Sequence, residues 1–210
     1  MIVSLISYAY SLNQYYDERL RKKYFLLPLL LYIFSLAFLI KEYVTIIFSL
    51  IFFSLATLYS FKKIYLKKTP LATVIDPIGH SLLFLIGYGN IDNYSIAIFS
   101  LFLFLLTLSR ILHELHHFNY DKKNRIKNAS ILIGKTNSVK LFRILGISTI
   151  IYIAFIYANA YLNSILTICL ILFVTLFTIT IREEVTLGYR MLFRYLAILI
   201  GCIWLTTLLF

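Results

Sequence analysis

Polar side chains with the spacing of a metal or phosphate site occur in three short segments of an otherwise apolar chain. In the first segment, Asn13 and Asp17 lie four residues apart, so on a helix their oxygen atoms would share one face. Amide and carboxylate oxygens suit Mg²⁺, which usually keeps several waters and is completed by substrate phosphates. A solvated, charged helix end would give the same spacing, so both interpretations stay open for this segment.

The second segment combines an aromatic hydroxyl with lysines. Tyr59 precedes Lys63 by four residues, and Lys67 follows after another four. Ammonium groups bind a diphosphate as point charges, whereas tyrosine and lysine are also ordinary residues at a membrane boundary. The segment therefore predicts either a diphosphate site or a boundary loop.

The third segment carries histidine and carboxylate side chains. Glu114, His117 and Asp121 would form one polar stripe on a helix, and polar groups at a membrane are candidates for function. From His113 to His117 the chain also reads H-E-L-H-H, in which two histidines can bind Zn²⁺ while the glutamate acts as a general base. This motif gives the alternative hypothesis of a membrane-embedded zinc metalloprotease.

A further polar pair lies inside an apolar segment. Asp76 and His80 share a helix face, and ionisable groups within a membrane usually face a cavity. One interpretation is that they line a functional cavity within the membrane. The other is that Asp76 caps a helix that restarts at Pro77, which has no backbone N–H to donate.

Apolar segments must position all of these residues, because 61% of the chain is hydrophobic. The apolar runs are continuous, which predicts helices rather than the alternating strands of a barrel. A soluble fold of this size would have no interior large enough for so much apolar surface, so lipid must cover it. We expect an all-α polytopic transmembrane helical bundle, as a single domain over 1–210, with a partial N-terminal helix over 1–12. Seven full spans of roughly 17–25 residues are predicted at 24–40, 43–60, 71–89, 94–112, 139–161, 164–181 and 191–210.

The distribution of charge predicts the topology. The net charge is +11, and every Lys and Arg except Lys41 falls in or beside alternate gaps between the apolar segments. Loops rich in Lys and Arg face the cytoplasm, so the basic charge indicates membrane orientation rather than binding to nucleic acid. We expect an integral protein of the cell membrane with its polar segments on the cytoplasmic side.

Taken together, the three segments resemble the UbiA-type superfamily of intramembrane prenyltransferases. That family carries the motifs N-D-x-x-D-x-x-x-D, Y-x-x-x-K and D-x-x-x-D in three successive cytoplasmic loops. From Asn13 to Arg21 this chain reads N-Q-Y-Y-D-E-R-L-R. It keeps the asparagine and Asp17, but Gln14 and Arg21 replace acidic positions.

The second and third motifs follow in the order of the family. The second, Tyr59–Lys63, is a full match. In the third, Asp121, the basic run after it and Gly134 match, whereas His117 replaces an aspartate and Arg125 a glycine. Family members have nine spans, so the resemblance implies that the first span and part of the second are missing from this chain. A longer native chain or a partner helix would then cover the exposed flank.

The resemblance implies an intramembrane prenyltransferase that uses Mg²⁺. The enzyme would move a polyprenyl group from its diphosphate to a lipophilic acceptor within membrane lipid, with Asp17 and Asp121 as catalytic residues facing each other across a cytoplasmic-side cavity. The implied metal ligands are Asn13, Asp17, Glu114, His117 and Asp121, and the implied substrate-binding residues are Tyr59, Lys63, Lys67, Asp76 and His80. Because three acidic positions of the family motifs are lost, a degenerate, non-catalytic lipid-binding protein is a further alternative.

Overall fold

The computed structural model describes residues 1–16, 23–37, 42–61 and 66–209, and within these ranges the chain forms helices and no strands. A 3-10 turn, Leu66–Lys68, precedes α4. The α-helices are α1 (Ile2–Tyr16), α2 (Lys23–Ala37), α3 (Tyr43–Ser60), α4 (Ala72–Tyr88), α5 (Asn93–Lys123), α6 (Ala129–Ile133), α7 (Lys135–Ala158), α8 (Ser164–Thr180) and α9 (Leu187–Leu209).

A helix stands at each of the seven predicted apolar segments, which confirms the all-helical class. Of the described helices, α3, α5, α7 and α9 are long and apolar enough to cross a membrane, as an integral membrane protein requires. The apolar parts of α2, α4 and α8 are shorter, at 10–17 residues. The number of seven full spans therefore stays a prediction.

Local hydrogen bonds account for several helix ends. Asp92 and Ser95 form a reciprocal cap at the start of α5: the N–H of Ser95 donates to Asp92 Oδ1 at 2.7 Å, and the N–H of Asp92 donates to Ser95 Oγ at 2.9 Å. The bond from Ser95 holds the pKa of Asp92 below its usual range. Asn163 caps α8 in a similar way by accepting from the N–H of Leu166. These caps satisfy N–H groups that have no partner within their own helix.

Pro77 lies inside α4 rather than at its start. The helix begins at Ala72 and continues through Pro77 to Tyr88, so the interpretation of Asp76 as the cap of a restarted helix is wrong. Proline has no backbone N–H, so one backbone hydrogen bond of the helix is missing at Pro77. The helix nevertheless continues on both sides of it. Asp76 is therefore a helix-face residue.

The chain divides into two compact units, unit 1 (1–99) and unit 2 (100–210). In unit 1, α3 packs against α4, and α1 packs against α2 and α3, around a buried cluster of Leu5, Tyr32, Phe52 and Ile86. In unit 2, α8 packs against both α7 and α9. The assignment of the whole chain to a single domain stays a prediction.

Candidate functional site

A cavity of about 270 Å³ opens among α1, α3 and α4 of unit 1. Four residues that the sequence singles out, Asn13, Tyr59, Asp76 and His80, line it together. These residues belong to three helices that are separate in the sequence, and the packing of the helices brings their side chains to the same cavity. Apart from Ser60, the remaining lining consists of apolar side chains, Tyr10 and Gly79.

Helical spacing explains how the polar residues reach this cavity. Asn13 and Tyr59 lie in the last turns of α1 and α3, and Asp76 and His80 lie one turn apart in the first half of α4. Residues four apart on a helix share a face, so α4 presents both side chains to the same cavity. Ile6 and Phe52, from earlier turns of α1 and α3, supply apolar lining. The cavity therefore combines polar side chains from three helices with apolar walls.

Lys67 adds a cation next to this cavity. Its Nζ donates to Asn13 Oδ1 at 2.9 Å, and the 3-10 turn Leu66–Lys68 carries it there. Because Asn13 Oδ1 accepts from an ammonium group, the orientation of the amide is set and Nδ2 is left as its donor. An oxygen that faces an ammonium group is also a poor ligand for a divalent cation, since the two positive charges repel each other.

Asp76 and His80 interact on the face of α4. His80 Nδ1 lies 2.9 Å from the backbone oxygen of Asp76 and 3.5 Å from its Oδ1. A carbonyl oxygen only accepts, so Nδ1 carries the proton and Nε2 is the acceptor of the neutral ring. His80 therefore offers an acceptor nitrogen on a residue that lines the cavity.

Glu114 in unit 2 is buried, with 1% exposure, and both of its carboxylate oxygens accept hydrogen bonds. Arg110 Nε donates to Oε1, and the N–H of Ser130 donates to Oε2, each at 3.1 Å. The carboxylate thus ties α5 to the start of α6. This arrangement gives no support to Glu114 as a metal ligand or a general base.

Asp121 lies two turns further along α5 and also accepts a hydrogen bond from a residue beyond the end of that helix. Asn128 Nδ2 donates to Asp121 Oδ2 at 2.8 Å, while Asn128 Oδ1 caps α6 by accepting from the N–H of Ile131 at 2.9 Å. Between them, Arg125 has a φ of 55°, in the left-handed region that glycine adopts easily. The end of α5 and the start of α6 are therefore linked through Asn128, which forms a hydrogen bond with each helix.

The histidines of the third segment contact α9 and the chain before it. Arg190 Nη1 lies 3.1 Å from His113 Nδ1 and 2.9 Å from His117 Nε2, and His116 Nδ1 lies 2.9 Å from the backbone oxygen of Val185. Arg190 is a site residue that sequence reasoning misses, because it is read only as part of the charge pattern. Its partners lie 77 and 73 residues away, and no local motif encodes such a contact.

The described donor atoms do not fit a Mg²⁺ or Zn²⁺ site by themselves. Across residues 1–16, 23–37, 42–61 and 66–209, no group of three or more His, Cys, Asp and Glu side chains is placed to hold a metal ion. Asp17 and Lys63 lie outside the described residues, so the predicted approach of Asp17 to Asp121 stays a prediction. Comparisons of the chain with protein-family models, with curated proteins and with solved structures find no match.

Proposed function

We propose that this chain is an intramembrane prenyltransferase whose unit 1 cavity binds a polyprenyl diphosphate. The observation that carries the proposal is the convergence of Asn13, Tyr59, Asp76 and His80 on one cavity, with Lys67 bound to Asn13 beside it. The resemblance to the UbiA-type superfamily supplies the reaction, since Tyr59 belongs to its fully matched motif. The left-handed conformation of Arg125, where the family has glycine, is a further point in favour.

The donor chemistry matches the polar part of the cavity. A diphosphate is anionic and accepts hydrogen bonds, and Lys67 provides charge while Tyr59 and the Asn13 amide provide donors. The cavity volume lies just below the range of about 300–1,000 Å³ that ligand pockets usually show. The cavity would thus hold the diphosphate and the start of the chain, while the rest of the tail would lie along apolar helix faces.

The reaction breaks the C–O bond between the prenyl group and the diphosphate, and the diphosphate leaves with the electron pair. The allylic cation that remains is captured by a nucleophilic atom of the lipophilic acceptor, which then loses a proton. His80 Nε2 is the acceptor nitrogen suited to take that proton, with Asp76 beside the ring to stabilise the imidazolium. In a membrane, lipid around the cavity would keep water away from the cation and protect it from hydrolysis.

The proposal includes a membrane location with all seven apolar helices embedded and the basic loops in the cytoplasm. It also keeps Mg²⁺ as the predicted cofactor, with Asp17 and Asp121 as its predicted ligands. Prenyl transfer that stops on chelation and returns with Mg²⁺ would support this part. Full turnover in the presence of a chelator would contradict it.

The test uses the full chain in detergent, with labelled polyprenyl diphosphates and a membrane lipid extract as the source of acceptor. Lys67→Met should weaken donor binding by roughly 10–100-fold, because a charge-assisted hydrogen bond contributes about 1.5–3 kcal/mol. The matched control is Lys68→Met, which removes the same charge from the next residue and should have a much smaller effect. Equal losses in the two variants, or no binding of any prenyl diphosphate by the parent chain, would overturn the proposal.

A non-catalytic lipid-binding protein is the second candidate. The observation that favours it is that Asp76 supplies the only carboxylate among the described residues that line the cavity, whereas the family uses acidic clusters. The same experiment separates the two candidates. Binding with release of diphosphate supports the enzyme, and binding that leaves the donor intact supports the lipid-binding protein.

A further inference from the structure

Unit 2 contains a cluster of basic and imidazole side chains between α5 and α9, which we call the Arg190 cluster: Arg190, Arg194, His113 and His117. Arg190 Nη1 contacts one ring nitrogen of each histidine, and the two ring centroids lie 4.6 Å apart. Arg194 follows one turn later on α9, within electrostatic reach of both histidines. The side chains of two helices therefore meet in one compact group.

The histidines orient Arg190 without neutralising it. A guanidinium group only donates, so His113 Nδ1 and His117 Nε2 must be the acceptors of neutral rings. The protons then lie on His113 Nε2 and on His117 Nδ1, which makes both rings hydrogen-bond donors on their other side. The cluster thus keeps the full charge of its arginines.

No acidic residue that the structure describes pairs with these arginines. Glu114, the buried carboxylate nearby, forms its ion pair with Arg110 instead. The Nε atom of Arg190 is buried and has no hydrogen-bond partner within the described ranges. An unpaired buried donor on a charged group is costly, so the cluster lacks an anionic partner with acceptor oxygens.

The helix that carries the arginines adds to the positive potential. Arg190 lies in the first turn of α9, which runs over 23 residues, and a helix N-terminus carries partial positive charge. Phosphate groups bind readily at such ends. Guanidinium groups also match the geometry of phosphate oxygens better than a point charge does. Both features favour a phosphate over a simple carboxylate.

We propose that the Arg190 cluster binds a phosphate group, carried either by the headgroup of an anionic phospholipid or by free inorganic phosphate. Arg190 and Arg194 would bind the phosphate oxygens, and His113 and His117 would hold the Arg190 guanidinium group in position. This site lies wholly within unit 2. It does not rest on the proposed function of the cavity in unit 1.

The experiment uses the full-length protein, delipidated in detergent or placed in nanodiscs of phosphatidylcholine with or without phosphatidylglycerol. Inorganic phosphate is titrated in detergent by calorimetry, and retained phospholipid is identified by native mass spectrometry. Saturable binding of inorganic phosphate alone would assign the site to free phosphate. Selective retention of phosphatidylglycerol would assign it to a lipid headgroup, and both results support the proposal.

The variants test the cluster itself. Arg190→Gln and Arg194→Gln should each weaken binding about tenfold or more, the loss expected for one charge-assisted hydrogen bond. The control is Arg182→Gln, which removes one charge from an exposed position just before α9 and should leave binding unchanged. Arg190→Lys should give an intermediate loss, because it keeps the charge but not the planar group.

Two further readouts keep the test decisive if a variant is unstable. Arg194 makes none of the hydrogen bonds that orient the histidines, so Arg194→Gln should unfold at the parent temperature and still lose binding. In ¹⁵N spectra of histidine-labelled protein, phosphate should shift the His113 and His117 signals of the parent chain. Binding of neither phosphate nor anionic lipid, or an equal loss in Arg182→Gln, would overturn the proposal.

Discussion

Glu114 joins α5 and α6 through its two carboxylate oxygens. It receives one hydrogen bond from Arg110 on the same helix and another from the N–H of Ser130 in α6, and its side chain is almost fully buried. Removing one partner of a buried ion pair leaves the other charge uncompensated. The residue is therefore expected to contribute to stability, and its predicted role as a metal ligand or general base stays a prediction.

We predict that Glu114→Gln lowers the free energy of unfolding by about 3 kcal/mol, the low end for breaking a buried ion pair. Thermal unfolding in detergent would measure it, with Glu184→Gln as the control because Glu184 is exposed. A variant of parental stability that has lost a peptidase activity would instead support the zinc metalloprotease hypothesis.

Arg125 holds a left-handed conformation, with a φ of 55°, in the turn between α5 and α6. Such a conformation costs a residue with a Cβ roughly 1–2 kcal/mol, and glycine avoids most of that cost. Arg125→Gly should therefore stabilise the chain by about 1 kcal/mol. Lys127→Gly is the matched comparison and should not stabilise, since Lys127 has no positive φ. A loss of stability in Arg125→Gly would contradict this account.

The residues of the unit 1 cavity could be predicted from sequence better than those of unit 2. Asp76 and His80 share a face through helical spacing alone, which a sequence displays directly. The bond from Arg190 to His113 instead joins residues 77 apart, and it exists only because α5 and α9 meet in the folded unit. Sequence patterns carry local geometry, whereas such a contact depends on tertiary packing.

Helices α7 and α8 approach closely where a glycine faces a threonine. A Cβ built on Gly146 would clash with Thr178 Oγ1, so this position requires glycine for steric reasons. Interfaces between membrane helices commonly use small residues in this way. The apolar runs of the two helices are visible in the sequence, but the register that pairs Gly146 with Thr178 is not.

Gly146→Ala should destabilise unit 2 by about 1–3 kcal/mol, the usual cost of overpacking. Adding Thr178→Ala should recover part of the loss, because the clashing atoms are removed, and a double-mutant cycle would measure that coupling. Gly201→Ala is the control, since a Cβ at that helical glycine meets nothing within 4 Å. An equal effect of Gly146→Ala and Gly201→Ala would show that close packing is not the cause.

The ends of α5 illustrate why helix boundaries are harder to predict than helices. The apolar pattern predicts a span over 94–112, but the helix continues to Lys123, since the polar residues after the span extend the same helix instead of breaking it. The turn that follows contains Arg125 in the left-handed conformation and no glycine or proline that would mark it in the sequence. Polarity therefore indicates where an apolar span ends, not where the helix ends.

For the whole molecule, the continuous apolar runs predict the helical class, and the charge pattern predicts the orientation. In unit 2, a hydrogen bond joins two of the segments that carry basic residues. The hydroxyl of Thr136, at the start of α7, donates to Glu183, just after α8, at 2.6 Å. Since α7 and α8 pack against each other, the loop around Asn159 lies at their opposite end. The basic residues before α7 and after α8 therefore share one end of this helix pair.

We predict that this basic end faces the cytoplasm, because loops rich in Lys and Arg are retained on that side. Single cysteines would be introduced at Lys123, Arg182 and Asn159 in a chain carrying Cys169→Ala and Cys202→Ala, so that only the new thiols react. In intact cells, a membrane-impermeant thiol reagent should label Asn159→Cys, whereas Lys123→Cys and Arg182→Cys should react only after the membrane is permeabilised. Labelling of Lys123→Cys from outside would reverse the orientation and would also contradict a prenyltransferase that works from the cytoplasmic side.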